Sequence, residues 1–345
     1  QKKQMKIAQI ADLWHPVSKE TLGGRCFITS VLTDKLVERG HDVTLFASGD
    51  SQTSAKLISV IPRALHSRDG DTSLLNIAEA YGRAEEFDVI HNHLGHFVLP
   101  LTQFVSTPTV TTIHYPFKNP VIDIFFDQYK EKNYFTSLSY SMREQFPGLD
   151  YVGNVYNGIV VDDFVYQDQP EDFVLFFGRM SPDKGVHLAI EAARLAGERI
   201  VIVGLVPPDD EEYFNVKIKP LIDNDRVKYL GAMSYQDKIS FFGRAKAMLH
   251  PALFPEPFGL TLVEAMACGT PVIAYNRGAI PEVIDDKVTG FVVSGDQEMA
   301  DAIKKVGNIK REACRQRVEK NFTVDKMVDG YLAAYDKAIH KYKKS

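Results

Sequence analysis

Short apolar runs separated by amphipathic stretches recur along all 345 residues of the chain. In the first half they are KIAQIA (6–11), DVTLFA (42–47), DVIHNH (88–93), TVTTIH (109–114), NYFTSL (133–138) and YVGNVY (151–156). Each is too short for a helix and rich in β-branched residues, so each predicts a strand. Between the first two, Phe27, Val31, Leu32 and Leu36 repeat at helical spacing before Gly40 ends the segment, which makes a βαβ unit. The pattern restarts after Pro170 with DFVLFFG (172–178), a helix from Lys184 to about Ala196, RIVIVG (199–204), RVKYLG (226–231), KAMLH (246–250), TPVIAY (270–275) and GFVVS (290–294). Such alternation predicts an α/β chain of two Rossmann-like, doubly wound parallel sheets. Residues 1–165 and 166–322 are the expected domains, with VYQDQPED as the linker and a ligand cleft between them. In the tail, Met327, Tyr331, Leu332, Tyr335 and Ile339 form an apolar stripe, so 323–345 is expected as a long helix docking back on the first domain.

Composition narrows the classes. Hydrophobic residues make up 45%, charged residues 25%, and the net charge is −5, which is not the basic footprint of a nucleic-acid binder. Cys26, Cys268 and Cys314 are odd in number and far apart, so neither a disulfide framework nor a thiolate zinc site is expected. No run approaches about 18 apolar residues and the first residues lack a signal-peptide pattern, so a cytoplasmic protein is expected. Peripheral contact with the cytoplasmic face of the membrane stays open through PFKNPVIDIFFDQYKEKNYF (116–135), where aromatic residues alternate with Lys118, Lys130 and Lys132; a core helix with one solvated face is the favoured reading. The terminal Lys341, Lys343 and Lys344 read as a solvated end, and the sequence is silent on oligomeric state.

The densest chemistry lies in PALFPEPFGLTLVEAMACGTPVIAYNRGAIPEVI (251–284). A helix starting near Gly259 would point the backbone N–H groups of Phe258, Gly259 and Leu260 at an anion or a hydroxyl, with Glu256 just before it and Glu264 a little over a turn inside. Arg179 and Lys184 sit in a strand-to-helix turn, and Gly23 and Gly24 precede the first helix, although the dinucleotide fingerprint G-x-G-x-x-G is absent. His114 ends a strand, where doubly wound sheets contact ligands. His91 and His93 share one strand face with no acidic residue at ligand spacing, so no metal site is expected there; His93 is a candidate for lining the cleft.

FGRMSPDKG (177–185), PEPFGLTLVEAMACGTPVIA (255–274), RGAIPEVI (277–284) and TGFVV (289–293), in this order, resemble the donor half of retaining glycosyltransferase family 4. The likeness extends to KIAQIADLWHPVSKETLGGR and VERGHDVTLFASGDS near the start. The resemblance implies the GT-B fold, with a nucleotide-sugar donor bound by the second domain and an acceptor facing the first. It implies that Glu264 binds the ribose, that Glu256 binds donor-sugar hydroxyls, and that Pro257, Phe258, Gly259 and Leu260 hold sugar and diphosphate. Arg179 and Lys184 would neutralise the diphosphate, Gly23 and Gly24 would close on it, and His114 would bond the donor sugar. Glu256, His114, Arg179 and Lys184 are thus the expected catalytic set, with no metal and no cofactor; the nucleotide sugar is a substrate, a UDP-sugar ahead of a GDP-sugar.

The expected reaction moves a hexosyl group to a hydroxyl of a sugar or lipid-linked sugar, as in envelope or polysaccharide synthesis, by a front-face route. The alternatives are a nucleotide-sugar 2-epimerase of the same fold, a non-catalytic sugar-nucleotide binder and, least supported, a Rossmann dehydrogenase. The chain departs from the family pattern at Leu22, Gly23, Gly24, Arg25 and Cys26, where an aromatic residue and an acid flank the glycines in relatives, so the acceptor cannot be borrowed.

Overall fold

The computed structural model describes residues 4–21, 23–65, 72–115, 120–131 and 133–344. Seven parallel strands form one sheet: β1 (Lys6–Ile10), β2 (Asp42–Phe46), β3 (Lys56–Ile58), β4 (Val89–Asn92), β5 (Thr109–Ile113), β6 (Asn133–Ser137) and β7 (Tyr151–Asn154), in the order β3-β2-β1-β4-β5-β6-β7. Six more form the second: β8 (Val174–Phe177), β9 (Ile200–Val203), β10 (Val227–Tyr229), β11 (Met248–His250), β12 (Val272–Tyr275) and β13 (Gly290–Val293), in the order β10-β9-β8-β11-β12-β13. Both orders reverse direction beside their first strand, the topology of two Rossmann-like units. Helices on the two faces turn sequences such as IVIV of β9 and VIAY of β12 into fully apolar runs.

The chain divides into two compact units, 1–158 with 324–345, and 159–323. The change falls at Gly158 and not at 165, because the Ile159 N–H donates to the Phe322 carbonyl (2.9 Å) and Ile159 bridges Thr323. VYQDQPED is anchored within the second unit: the N–H of Val165 donates to Ile239 and that of Gln167 to Cys268. The C-terminal helix, Val324–Tyr342, packs on β7 and on the Gly24–Glu38 helix of the first unit, and Arg39 pairs with its Asp325 and Asp329.

Two differences from the sequence pattern have local causes. β3 is a three-residue, half-exposed edge strand, too short to show a period. The helix expected from Lys184 begins at Val186, after a 3-10 turn at Pro182–Lys184 and a left-handed Gly185 (φ 71°) whose Cβ would stand 2.2 Å from the Pro251 carbonyl. In the aromatic segment, the Pro120–Tyr129 helix buries Phe126 against Phe135 and Phe146 and leaves Val121 and Ile124 exposed. Lys118 and Lys132 lie outside the described residues. Among the described residues, no helix is long and apolar enough to cross a membrane.

Candidate active site

Rossmann-like sheets place ligands beyond the carboxyl ends of the strands where the strand order reverses. In the second unit that position lies between β8 and β11, and the segments leaving these strands carry most of the expected donor residues. Lys184, after β8, reaches Glu256, after β11: its Nζ lies 3.1 Å from Glu256 Oε2 and 4.5 Å from the centre of the Phe254 ring. The same carboxylate oxygen accepts a hydrogen bond from Nε2 of His250, the last residue of β11, at 3.0 Å. Glu256 Oε1 has no protein partner among the described residues. Burial opposes ionisation of Glu256, but Lys184 and His250 outweigh it and hold the carboxyl down at about 2, so Glu256 is a fixed anion with one oxygen unused.

The backbone of Glu256 is clamped as well. It bridges Gly278 of the RGAIPEVI stretch, and its carbonyl accepts the Ala279 N–H at 2.8 Å. Gly278 (φ 62°) has no room for a side chain, since a Cβ would lie 2.4 Å from the Glu256 carbonyl oxygen.

Three residues after Glu256, the chain enters the Leu260–Ala267 helix through Gly259, which has no side chain to cap its start. Phe258 is in the core against Phe322, so what the Pro257–Leu260 stretch offers a ligand is backbone. Glu264, in the second turn, is completely buried and pairs through Oε1 with Lys238 Nζ at 2.7 Å; its Oε2 is buried with no hydrogen-bond partner among the described residues. Burial raises the Glu264 carboxyl above its usual range and Lys238 only partly offsets this. Such an orphaned acceptor is rare and costly in a folded chain. Arg179 is half exposed and bonded to Asp183 at 3.2 Å.

In the first unit, His114 follows β5 and His93 follows β4, and His93 Nδ1 lies 3.0 Å from His114 Nε2. Burial, with neighbouring histidines or Arg25 adding to it, pushes His91 and His114 well below the ordinary histidine range and His93 to about 3; all three are neutral. Gly23 caps the Gly24–Glu38 helix with an ordinary extended backbone (φ −86°), and the first turn holds no acid. Arg25 in that turn pairs with buried Asp12 and lies against the Trp14 and Tyr115 rings at 5.4 and 5.6 Å. Leu22 is outside the described residues. His96 packs tilted against Phe97 and edge-on to Phe125 instead of joining the other histidines, and no group of three or more His, Cys, Asp or Glu among the described residues is placed to hold a metal ion.

His250 and Lys238, which hold the two glutamates, were not singled out by the sequence. His250 had the signal used for His114, a histidine ending a strand; Lys238 had none, since it reads as a solvated position on a short helix.

Residues 163–322 match the family model described as Glycosyl transferases group 1, and residues 29–151 match that of Glycosyltransferase Family 4. The chain belongs to this glycosyltransferase family. D-inositol 3-phosphate glycosyltransferase of Mycobacterium tuberculosis (strain ATCC 25618 / H37Rv) is 33% identical over 50% of this chain and 38% of its own length. The chain thus spans well under half of the curated relatives it matches. Sucrose-phosphate synthase from Thermosynechococcus elongatus superposes with a TM-score of 0.83 at 18% identity, over 99% of this chain and 100% of that one. The Anabaena protein HepE in complex with UDP-glucose gives 0.73 at 20% identity, over 99% and 100%. The fold is that of the GT-B glycosyltransferases.

Proposed function

We propose that the protein is a retaining glycosyltransferase that moves a hexosyl group from a nucleotide sugar, UDP-glucose being the first donor to try, to a hydroxyl of a sugar or lipid-linked sugar. Family membership supports the class, and the HepE structure with UDP-glucose supports the choice of donor. The observation that carries the reading is the pair of glutamates: Glu256 offers one unused oxygen from a clamped, ionised carboxylate, and Glu264 holds a buried oxygen with no donor. Both are acceptors suited to sugar hydroxyls, Glu264 to the ribose and Glu256 to the donor hexose.

In the proposed reaction the bond from the anomeric carbon to the diphosphate breaks with its electron pair leaving on phosphate. The acceptor oxygen forms its bond on the same face, and its proton passes to the departing phosphate oxygen. Arg179, Lys184 and the start of the Leu260–Ala267 helix supply positive charge where negative charge develops. Arg179 would exchange Asp183 for phosphate. His250 acts through Glu256, keeping Oε2 occupied so that Oε1 faces the sugar. Gly23 and Gly24 would approach the diphosphate, and His114 would bond the sugar.

Thermal unfolding against UDP, GDP, ADP and their sugars tests the reading. One nucleotide family at about 100 times its dissociation constant should stabilise by about 2.7 kcal/mol, with the shift reduced to about 0.4–1.4 kcal/mol in Glu264→Ala at the same concentration. Turnover of UDP-glucose with an added acceptor should follow. No shift with any nucleotide, or epimerised nucleotide sugar formed without an acceptor, would overturn it.

A further inference from the structure

The core of the first unit holds a continuous line of polar side chains that the proposed chemistry does not use. Gln9 of β1, His91 and His93 at β4, Thr112 of β5 and Thr136 of β6 are buried, and Tyr331 and Tyr335, one helical turn apart on the C-terminal helix, are completely buried with them. Consecutive members lie within hydrogen-bond reach. His114 Nε2 meets His93 Nδ1 (3.0 Å), His93 Nε2 meets Gln9 Oε1 (2.7 Å), and Gln9 Nε2 donates to the Tyr335 hydroxyl (3.2 Å). The Tyr335 hydroxyl meets His91 Nδ1 (2.7 Å), and His91 Nε2 meets Thr112 Oγ1 (2.7 Å).

A neutral imidazole donates from one nitrogen and accepts at the other, so in such a line each bond dictates the direction of the next. The Gln9 amide breaks the symmetry. Its carbonyl end faces His93, which must donate from Nε2 and accept at Nδ1; His114 must then donate from Nε2. Its NH₂ end faces Tyr335, which must pass its own proton to His91 Nδ1, leaving His91 to donate from Nε2 to Thr112. The far end is compatible with this: Thr112 Oγ1 has both the Tyr331 oxygen (3.1 Å) and Thr136 Oγ1 (2.7 Å) beside it for its one hydroxyl proton, which leaves it free to accept from His91. One direction, set by the Gln9 amide, satisfies the whole line.

We propose that Gln9, supported by Tyr335, is a positioning residue that fixes His114 as the tautomer protonated on Nε2, with its Nδ1 lone pair kept as a hydrogen-bond acceptor. No protein group among the described residues bonds that Nδ1. It is thus an acceptor for a substrate hydroxyl, a role that rests on the donor-binding reading of His114. The tautomer assignment does not depend on that reading.

The test is nitrogen-15 NMR of the full chain labelled at histidine, with the His114 signals assigned by their loss in His114→Gln. In the unsubstituted protein near pH 7, His114 should show one protonated Nε2 and one unprotonated Nδ1, and His91 and His93 likewise. A proton on Nδ1 of His114 overturns the proposal without any core substitution. Gln9→Met, with folding checked by its thermal transition, should convert His114 to a mixture of tautomers; an unchanged His114 spectrum also overturns it. Tyr335→Phe should release His91 and weaken the His114 preference less. The same Gln9→Met protein should transfer glucose from UDP-glucose with kcat/KM about tenfold lower and UDP affinity unchanged, the loss expected of one misdirected hydrogen bond. If the tautomer shifts while His114→Gln itself leaves turnover intact, the donor-binding role of His114 fails and the Gln9 assignment stands.

Discussion

The two units share a strand order and place their chemistry at the same point, the carboxyl ends of strands beside the reversal, yet they organise it in opposite ways. The second unit works with charge: Glu256 against Lys184 and His250, Glu264 against Lys238. The first keeps an ion pair, Arg25 with Asp12, and otherwise works with neutral groups whose direction is set by an amide. Charge suits a diphosphate that gains negative charge as it leaves, whereas a neutral, oriented acceptor suits a hydroxyl that must be placed without being ionised. The topology fixes where a ligand sits, and the side chains at the strand ends decide what it can be.

Substitution at Glu256 should break the contrast most strongly. Glu256→Ala leaves Lys184 and His250 facing each other and should lower kcat on the order of 10²–10³-fold while UDP affinity, measured by calorimetry, stays within about threefold. Glu264→Ala should do the reverse, weakening UDP by about 10–100-fold, the worth of hydrogen bonds to a charged acceptor.

Acid separates the units next. The three histidines have folded values below their unfolded one, so their contribution is complete above about pH 6.5 and is lost as the pH falls. Glu256 is also depressed, but its contribution is intact above 4.5 and is lost only towards about 2. Glu264 is raised and its cost is relieved on acidification. Hydrogen exchange between pH 6.5 and 5 should therefore show β1, β4 and β5 losing protection while β11 and the Leu260–Ala267 helix keep theirs. The smallest effect is Tyr331→Phe, which removes one member at the end of the line and should cost about 1 kcal/mol in denaturant unfolding.

Twelve of the thirteen strands were readable as apolar runs, the inner ones because a parallel sheet covered on both faces demands them; β3 and β10 are three-residue strands at exposed edges, and of the two only β10 was legible, as RVKYLG running into a glycine. Glu256, Glu264 and Lys184 could be picked out as residue types within a motif, but their pairings could not. Lys184 and Glu256 lie on different crossovers, and only the β8–β11 pairing brings them together. The polar line left a fainter trace: Gln9 interrupts an apolar strand, and β5 reads TVTTI where β9 reads IVIV. Neither position tells which tyrosine of a helix more than 200 residues away completes it.

The first unit is discontinuous, and that imposes an order on synthesis. A ribosome finishes the second unit, closed on itself by Ile159 and Thr323, before Tyr331 and Tyr335 exist. Until then Gln9 Nε2 and His91 Nδ1 lack the Tyr335 hydroxyl, and the part of the first sheet around β5 and β7 that this helix covers is bare. The second unit can fold as it emerges, whereas the first must wait for its last helix and is the part that a nascent-chain chaperone would need to shield.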